Sequence, residues 1–336
     1  MKNKDKEGRM KSIWLWWTAA LMALIALCGC TGTKPKDENT ADGKLRIVAA
    51  IFPAWDWTRS ILGEAAGSIE LTLLLDNGVD LHSYQPSVDD IMTISNADLF
   101  IYVGGESDQW VTDALKQANN PNLHVLKMID AIGEAARLEE TVEGMQAEEE
   151  EQEEEETYDE HVWLSLRNAQ TIIEAITKEL CELDPAHTGT YKKNAAEYNE
   201  KLAELDKQYS SAVTYAPCST LLFGDRFPFL YLTRDYGLNY YAAFSGCSAE
   251  TEASFETISF LAQKCDELDL GTVLTIDGSD RRIAETIVKN TASKDQQILT
   301  LDSIQSVTGK AIENGATYLS IMENNLNILK LALEVE

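Results

Sequence analysis

The sequence predicts an α/β protein of two lobes, each a mostly parallel sheet flanked by helices, joined by a long rigid helix. Three observations lead there. Short apolar runs alternate with helical patterns through residues 45–128 and again after residue 220, the rhythm of strand–helix–strand units. Between these regions, residues 185–213 keep a three-four apolar spacing. The length of 336 residues, with 44% hydrophobic and 25% charged, is enough for two lobes with ordinary cores.

Taken in order, the chain opens on a basic segment (Lys2, Lys4, Lys6, Arg9, Lys11), an apolar run over 13–28 and then Gly29-Cys30. A short apolar run ending in small residues is a secretory leader rather than part of the mature fold. Leu27-Cys28-Gly29-Cys30 resembles a bacterial lipobox, so residues 1–30 are expected to be a signal peptide with Cys30 as the lipidated residue. An uncleaved membrane anchor is the alternative. Either way the body is expected to work outside the cytoplasm, tethered to the cell membrane. Residues 31–44 are polar and read as a flexible tether.

The first lobe is expected over 45–184. Its strands are 45–52, stopped by Pro53, then 69–75, 99–103 and 124–128, with a helix over about 55–62. Ser87 caps another helix, with Asp90 completing a weak capping box. From Ala169 through Ile172, Ile173, Ile176 and Leu180 to Leu183, the spacing is that of one helix face. Asp184-Pro185 starts the linking helix, 185–213, with the stripe Tyr191, Ala195, Tyr198, Leu202, Leu205, Tyr209. At 1.5 Å per residue it spans roughly 40 Å, enough to act as a strut. The second lobe, 214–336, carries strands at 221–223, 239–243, 271–276 and 298–301 and a closing helix at 318–333.

Charge narrows the partners. The net charge is -28, and thirteen of the acids fall within 139–160 with no Lys or Arg among them. Such a surface repels nucleic acid and is compatible with attracting cations. By itself the 139–160 segment reads as a solvated loop. Cys181, Cys218, Cys247 and Cys265 form no C-x-x-C pair, which argues against a zinc knuckle, and their disulfide state is left open.

Two histidines stand on turn-rich loops: His82 in Asp80-Leu81-His82-Ser83-Tyr84-Gln85-Pro86, and His161 in Asp159-Glu160-His161-Val162-Trp163. Ligands in open α/β sheets sit beyond the carboxyl ends of strands. His82, Asp225 and Asp302 each follow a predicted strand. His124, entering a strand, and His187, in a helix's first turn, read as structural. Two imidazoles and two carboxylates would suit a borderline divalent ion.

From residue 45 to the C-terminus the chain resembles the bacterial solute-binding lipoproteins of zinc and manganese ABC importers. The 79–86 motif matches that family's first ligand motif, and 159–164 is similar to the second, with Glu160 where proline is usual and Ser165 where aspartate is usual. The resemblance implies His82 and His161 as ligands. Leu301-Asp302-Ser303 resembles the family's last ligand site, implying Asp302. At the third position the family has histidine or glutamate, whereas this chain reads Gly224-Asp225-Arg226. An ungapped match puts Arg226 there, which cannot bind a metal. Asp225 is therefore the expected ligand, with Cys247 and Glu250 in reserve. The run at 148–156 occupies the place of the family's mobile loop, without its histidines.

The resemblance implies a carrier rather than an enzyme. It would take up Zn2+ (alternatively Mn2+) between the lobes as a monomer and pass it to an ABC permease with its ATPase. A zinc hydrolase and a surface adhesin are the readings from other classes. Against the hydrolase, no H-E-x-x-H pair exists.

Overall fold

In the computed structural model, residues 44–146, 157–248 and 252–335 are described. The leader with Cys30, the tether up to residue 43, the whole acidic run at 148–156 and Glu250 lie outside the described residues. Among the described residues, no helix is long and apolar enough to cross a membrane.

Two four-stranded sheets form the frame. In the first, β1 (Leu45–Ala49), β2 (Ile69–Leu73), β3 (Leu99–Tyr102) and β4 (His124–Lys127) stand in the order 2-1-3-4, all parallel. In the second, β5 (Thr220–Phe227), β6 (Asn239–Ser245), β7 (Thr272–Thr275) and β8 (Gln297–Thr300) repeat that pattern as 6-5-7-8. Ile47, Val48 and Ala49 of β1 and Thr272 to Thr275 of β7 are buried, as parallel strands covered on both faces require. In each sheet the strand order reverses between the first and third strands. The crevice at their carboxyl ends is the natural place for a ligand.

One strand departs from expectation. β5 runs through Gly224 and Asp225 to Phe227, so Asp225 lies inside a strand rather than past its end. Between Phe223 and Arg226 the register against β6 shifts, three residues on β5 spanning two on β6. Such a bulge re-aims the side chains beside it. Gly224 is required there, because a Cβ at this position would come within 2.6 Å of the Ala284 backbone in the helix Arg282–Asn290.

The linking helix is Thr188–Thr214, preceded by a short turn at Pro185–His187. Its buried stripe is the predicted one with Ala212 added. Asn194 donates to the carbonyl of Ile61 in the helix Phe52–Leu62 (2.9 Å), and the Tyr209 hydroxyl donates to the carbonyl of Met322 in the last helix, Tyr318–Ala332 (2.7 Å). One helix thus holds an element of each lobe, and a single buried apolar cluster runs through both sheets. The Ser87–Asp90 capping box forms, and His187 bonds Asp184 at 2.6 Å.

Asp56 makes another cross-tie. Only 1% exposed, it accepts from Arg59 Nη2 (2.7 Å) and from the Tyr318 backbone N–H (2.9 Å). Removing it takes the partner from the half-exposed Arg59 guanidinium and leaves a buried helix-terminal N–H without its acceptor. Asp56→Ala is expected to cost about 2–4 kcal/mol of unfolding free energy, seen as a lower urea midpoint. An unchanged midpoint contradicts this.

Candidate metal centre

Both loop histidines follow an aspartate by two residues, and the aspartate does the same work in each. Asp80 Oδ1 accepts the His82 backbone N–H (2.9 Å), capping the turn Leu81–Ser83. Asp159 Oδ1 accepts the His161 backbone N–H (2.8 Å) and lies 3.1 Å from His161 Nδ1. His82 Nδ1 is 2.8 Å from Ser107 Oγ and 3.5 Å from Glu160 Oε2. Glu160 is itself fixed by the Ser107 N–H (2.7 Å), and it fits only because residue 105 is glycine: a Cβ there would collide with the glutamate side chain.

With each Nδ1 held by oxygen, both Nε2 atoms aim at one point, 3.2 Å apart. Tetrahedral zinc with bonds of 2.0–2.1 Å sets its nitrogen ligands about 3.3 Å apart. Engaging the far ring nitrogen is how metal-binding histidines are oriented. Cys247, just past β6, completes the constellation: Sγ and the two imidazoles offer donor atoms within 4.8 Å of one another. Its backbone N–H is donated to Glu139 Oε1 (3.0 Å). All four described cysteines are free thiols.

The electrostatics fit a site that exchanges protons for a cation. Burial pushes His82 down to about 3, and the neighbouring charge on His161 and then Arg226 push the same way against Asp80. For His161, burial acts downward but the bonded Asp159, with Glu160 and Glu139, outweighs it and holds the ring above its usual value. Burial first, then Glu139, Asp159 and Glu160, keep the Cys247 thiol well above its ordinary range. The His161 ring thus holds a proton more tightly than the His82 ring it faces, beside a thiol that resists ionisation.

The other expected ligands go elsewhere. Asp225 lines the same cavity of about 610 Å³ as His82, together with Asp80, Arg226, Asp277 and Asp280. Its oxygens, however, accept the N–H groups of Arg226 (2.9 Å) and Ile276 (3.3 Å), stitching the bulge to β7. Asp302 turns Oδ1 to the Ile304 N–H (2.8 Å), its backbone is clasped by Asn325, and burial and then Asp277 push its carboxyl up to about 6. Neither belongs to the donor cluster of the two histidines and Cys247. A second group, His124 with Glu179 and Glu182, is more open, and there His124 Nδ1 is bonded to Glu179 Oε2 (2.6 Å).

The flanks of the acidic segment are also packed rather than loose. Leu138 bridges Tyr158, Glu140 pairs with Arg234, and the Gln146 N–H is donated to the Ala243 carbonyl (3.0 Å). Sequence reasoning missed Ser107, Asp80 and Asp159 as supports. The repeated Asp-x-His spacing was the available signal for the two aspartates, and Ser107 had none.

Comparison with known proteins gives a consistent picture. The family described as zinc-uptake complex component A, periplasmic (ZnuA), matches residues 47–332. The zinc-binding lipoprotein AdcA of Streptococcus pneumoniae is 31% identical over 317 residues, covering 94% of this chain and 61% of the relative. This chain thus spans about three-fifths of the length of the AdcA proteins it matches. The high-affinity zinc uptake system protein ZnuA of Bacillus subtilis is 29% identical over 327 residues, covering 96% of this chain and 98% of that one. Among solved structures, the Zn(II)-bound ZnuA-like domain of Streptococcus pneumoniae AdcA aligns with a TM-score of 0.68 at 28% identity, over 87% of this chain and all of that one.

Proposed function

The chain belongs to the periplasmic zinc-uptake component A family, and from that premise we propose that it captures Zn2+ outside the cytoplasm and delivers it to an ABC permease. The observation that carries this reading is the meeting of His82 Nε2 and His161 Nε2 at 3.2 Å with Cys247 beside them. The proposed ligands are these three. Asp159, Ser107 and Glu160 orient the rings.

The donor set favours zinc over manganese. Thiolate is a soft ligand that manganese takes poorly, and zinc lies well above manganese in intrinsic affinity. The family is one of uptake components rather than enzymes. The proposed organisation keeps the lobes at 45–184 and 214–336 with the linking helix between them. Lipidation at Cys30 would hold the carrier near its permease and ATPase, and relatives named as zinc-binding lipoproteins support that placement.

Metal ligands are deprotonated, so zinc competes with protons at His161, whose ring Asp159 holds above its usual value, and at the Cys247 thiol, which burial pushes up. Titration of the purified protein with zinc at pH 6, in buffers of different ionisation enthalpy, is expected to show release of about two protons per zinc. Affinity is expected to fall as pH drops, because protons then compete at both groups. Uptake without proton release, or equal affinity for manganese and zinc, contradicts the reading.

A further inference from the structure

We propose that Arg226 is a positioning residue of the metal centre: it latches the His82 loop to the second lobe with a fixed charge, where a metal ligand would otherwise make that link. The inference rests on the zinc-carrier reading for its function, while its geometry stands alone.

Arg226 leaves β5 just after the bulge and reaches across to the first lobe, placing Nη2 2.6 Å from Asp80 Oδ2. The other oxygen of that carboxylate, Oδ1, is the cap that accepts the His82 N–H at 2.9 Å. A single carboxylate therefore joins the guanidinium of one lobe to the backbone of a metal ligand in the other. Both side chains are mostly covered, 21% and 18% exposed, so the pair is less screened than an ordinary surface bridge. The beginning of the same loop is tied as well, by the Gly309 N–H donated to Asp76 O (2.6 Å) and a bridge between Asn77 and Thr308. His161, by contrast, sits in a segment pinned without Arg226: Trp163 Nε1–H is donated to Ser303 O (2.9 Å), and the Tyr231 hydroxyl to Asp159 O (3.0 Å).

The consequence is a division of tasks. A ligand on β5 would make the metal itself the bond between β5 and the His82 loop. Arginine cannot ligate, so here that bond exists with or without cargo, and the metal is held by two imidazoles and a thiolate already gathered. Pre-ordering a ligand loop slows release because the loop has less freedom to swing away.

The test is a double-mutant cycle on the full protein with Arg226→Ala, Arg226→Lys and Asp80→Asn. The last keeps the oxygen that caps His82 while removing the charge. Zinc release into a chelator is expected to be about tenfold faster in Arg226→Ala, to recover in Arg226→Lys, and to be no faster in the Arg226→Ala/Asp80→Asn double variant than in either single one. Amide exchange over residues 76–83 in metal-free protein is expected to rise in Arg226→Ala with the melting temperature unchanged. Wild-type release from Arg226→Ala, or additive effects in the cycle, overturns the latch. Were the wild-type protein to bind no zinc, the carrier reading would fail instead. The exchange measurement would then decide the latch alone, unchanged protection in Arg226→Ala overturning it.

Discussion

Replacing His161 by alanine removes high-affinity zinc binding, with an expected loss of several hundredfold or more. Structural zinc sites reach roughly 10–16 kcal/mol of apparent binding free energy, so one of three or four ligands contributes about 3–5 kcal/mol, a factor of several hundred or more. His161 has no substitute at hand. It is fully buried, and the acid nearest to it, Asp159, is committed to its Nδ1 and its backbone N–H. His82→Ala is expected to lose a similar factor. Because alanine leaves a cavity at a buried site, His161→Gln is the companion variant, and circular dichroism checks that both fold. Zinc affinity within threefold of wild type in a folded His161 variant would remove this residue from the site.

The second large effect concerns the metal preference. Cys247→Ser is expected to weaken zinc about a hundredfold and to leave manganese affinity nearly unchanged, narrowing the gap between the two ions. Thiolate stabilises zinc far more than manganese, and a hydroxyl offers neither the charge nor the softness. Cys247 is a free thiol, so the change severs no disulfide. Competition titrations with both ions read the ratio directly, and a ratio that does not move contradicts Cys247 as a ligand. Cobalt offers an independent signal: the sulfur-to-cobalt absorption band expected in the wild-type protein disappears in the variant.

The frame was legible in the sequence because its signals are local. Strand runs such as 99–103 and the 191–209 stripe carry their periodicity within one element, and the paired sheets follow from alternation. His82 and His161 were legible for the same reason, each inside a short motif with its own aspartate. The proposed third ligand was not. Cys247 reaches the histidines through the path of β6 and the sheet order, which no neighbouring residues encode, so it stood only in reserve. Asp225 looked like a ligand past a strand end, but the bulge at Gly224-Asp225 extends β5 and uses the carboxylate to satisfy two backbone N–H groups. Asp302 likewise serves Ile304. Buried N–H groups need acceptors, and that demand competes for the carboxylates a sequence motif would give to a metal. Arg226 could be seen to be unable to ligate, but its partner Asp80 lies 146 positions away in the chain.

The most direct measurement is zinc K-edge X-ray absorption on the zinc-loaded protein. Two imidazoles and one thiolate around a single ion predict one sulfur at about 2.3 Å and nitrogen ligands at about 2.0–2.1 Å, with imidazole scattering beyond them. A first shell of oxygen and nitrogen alone, or one without imidazole scattering, would contradict it.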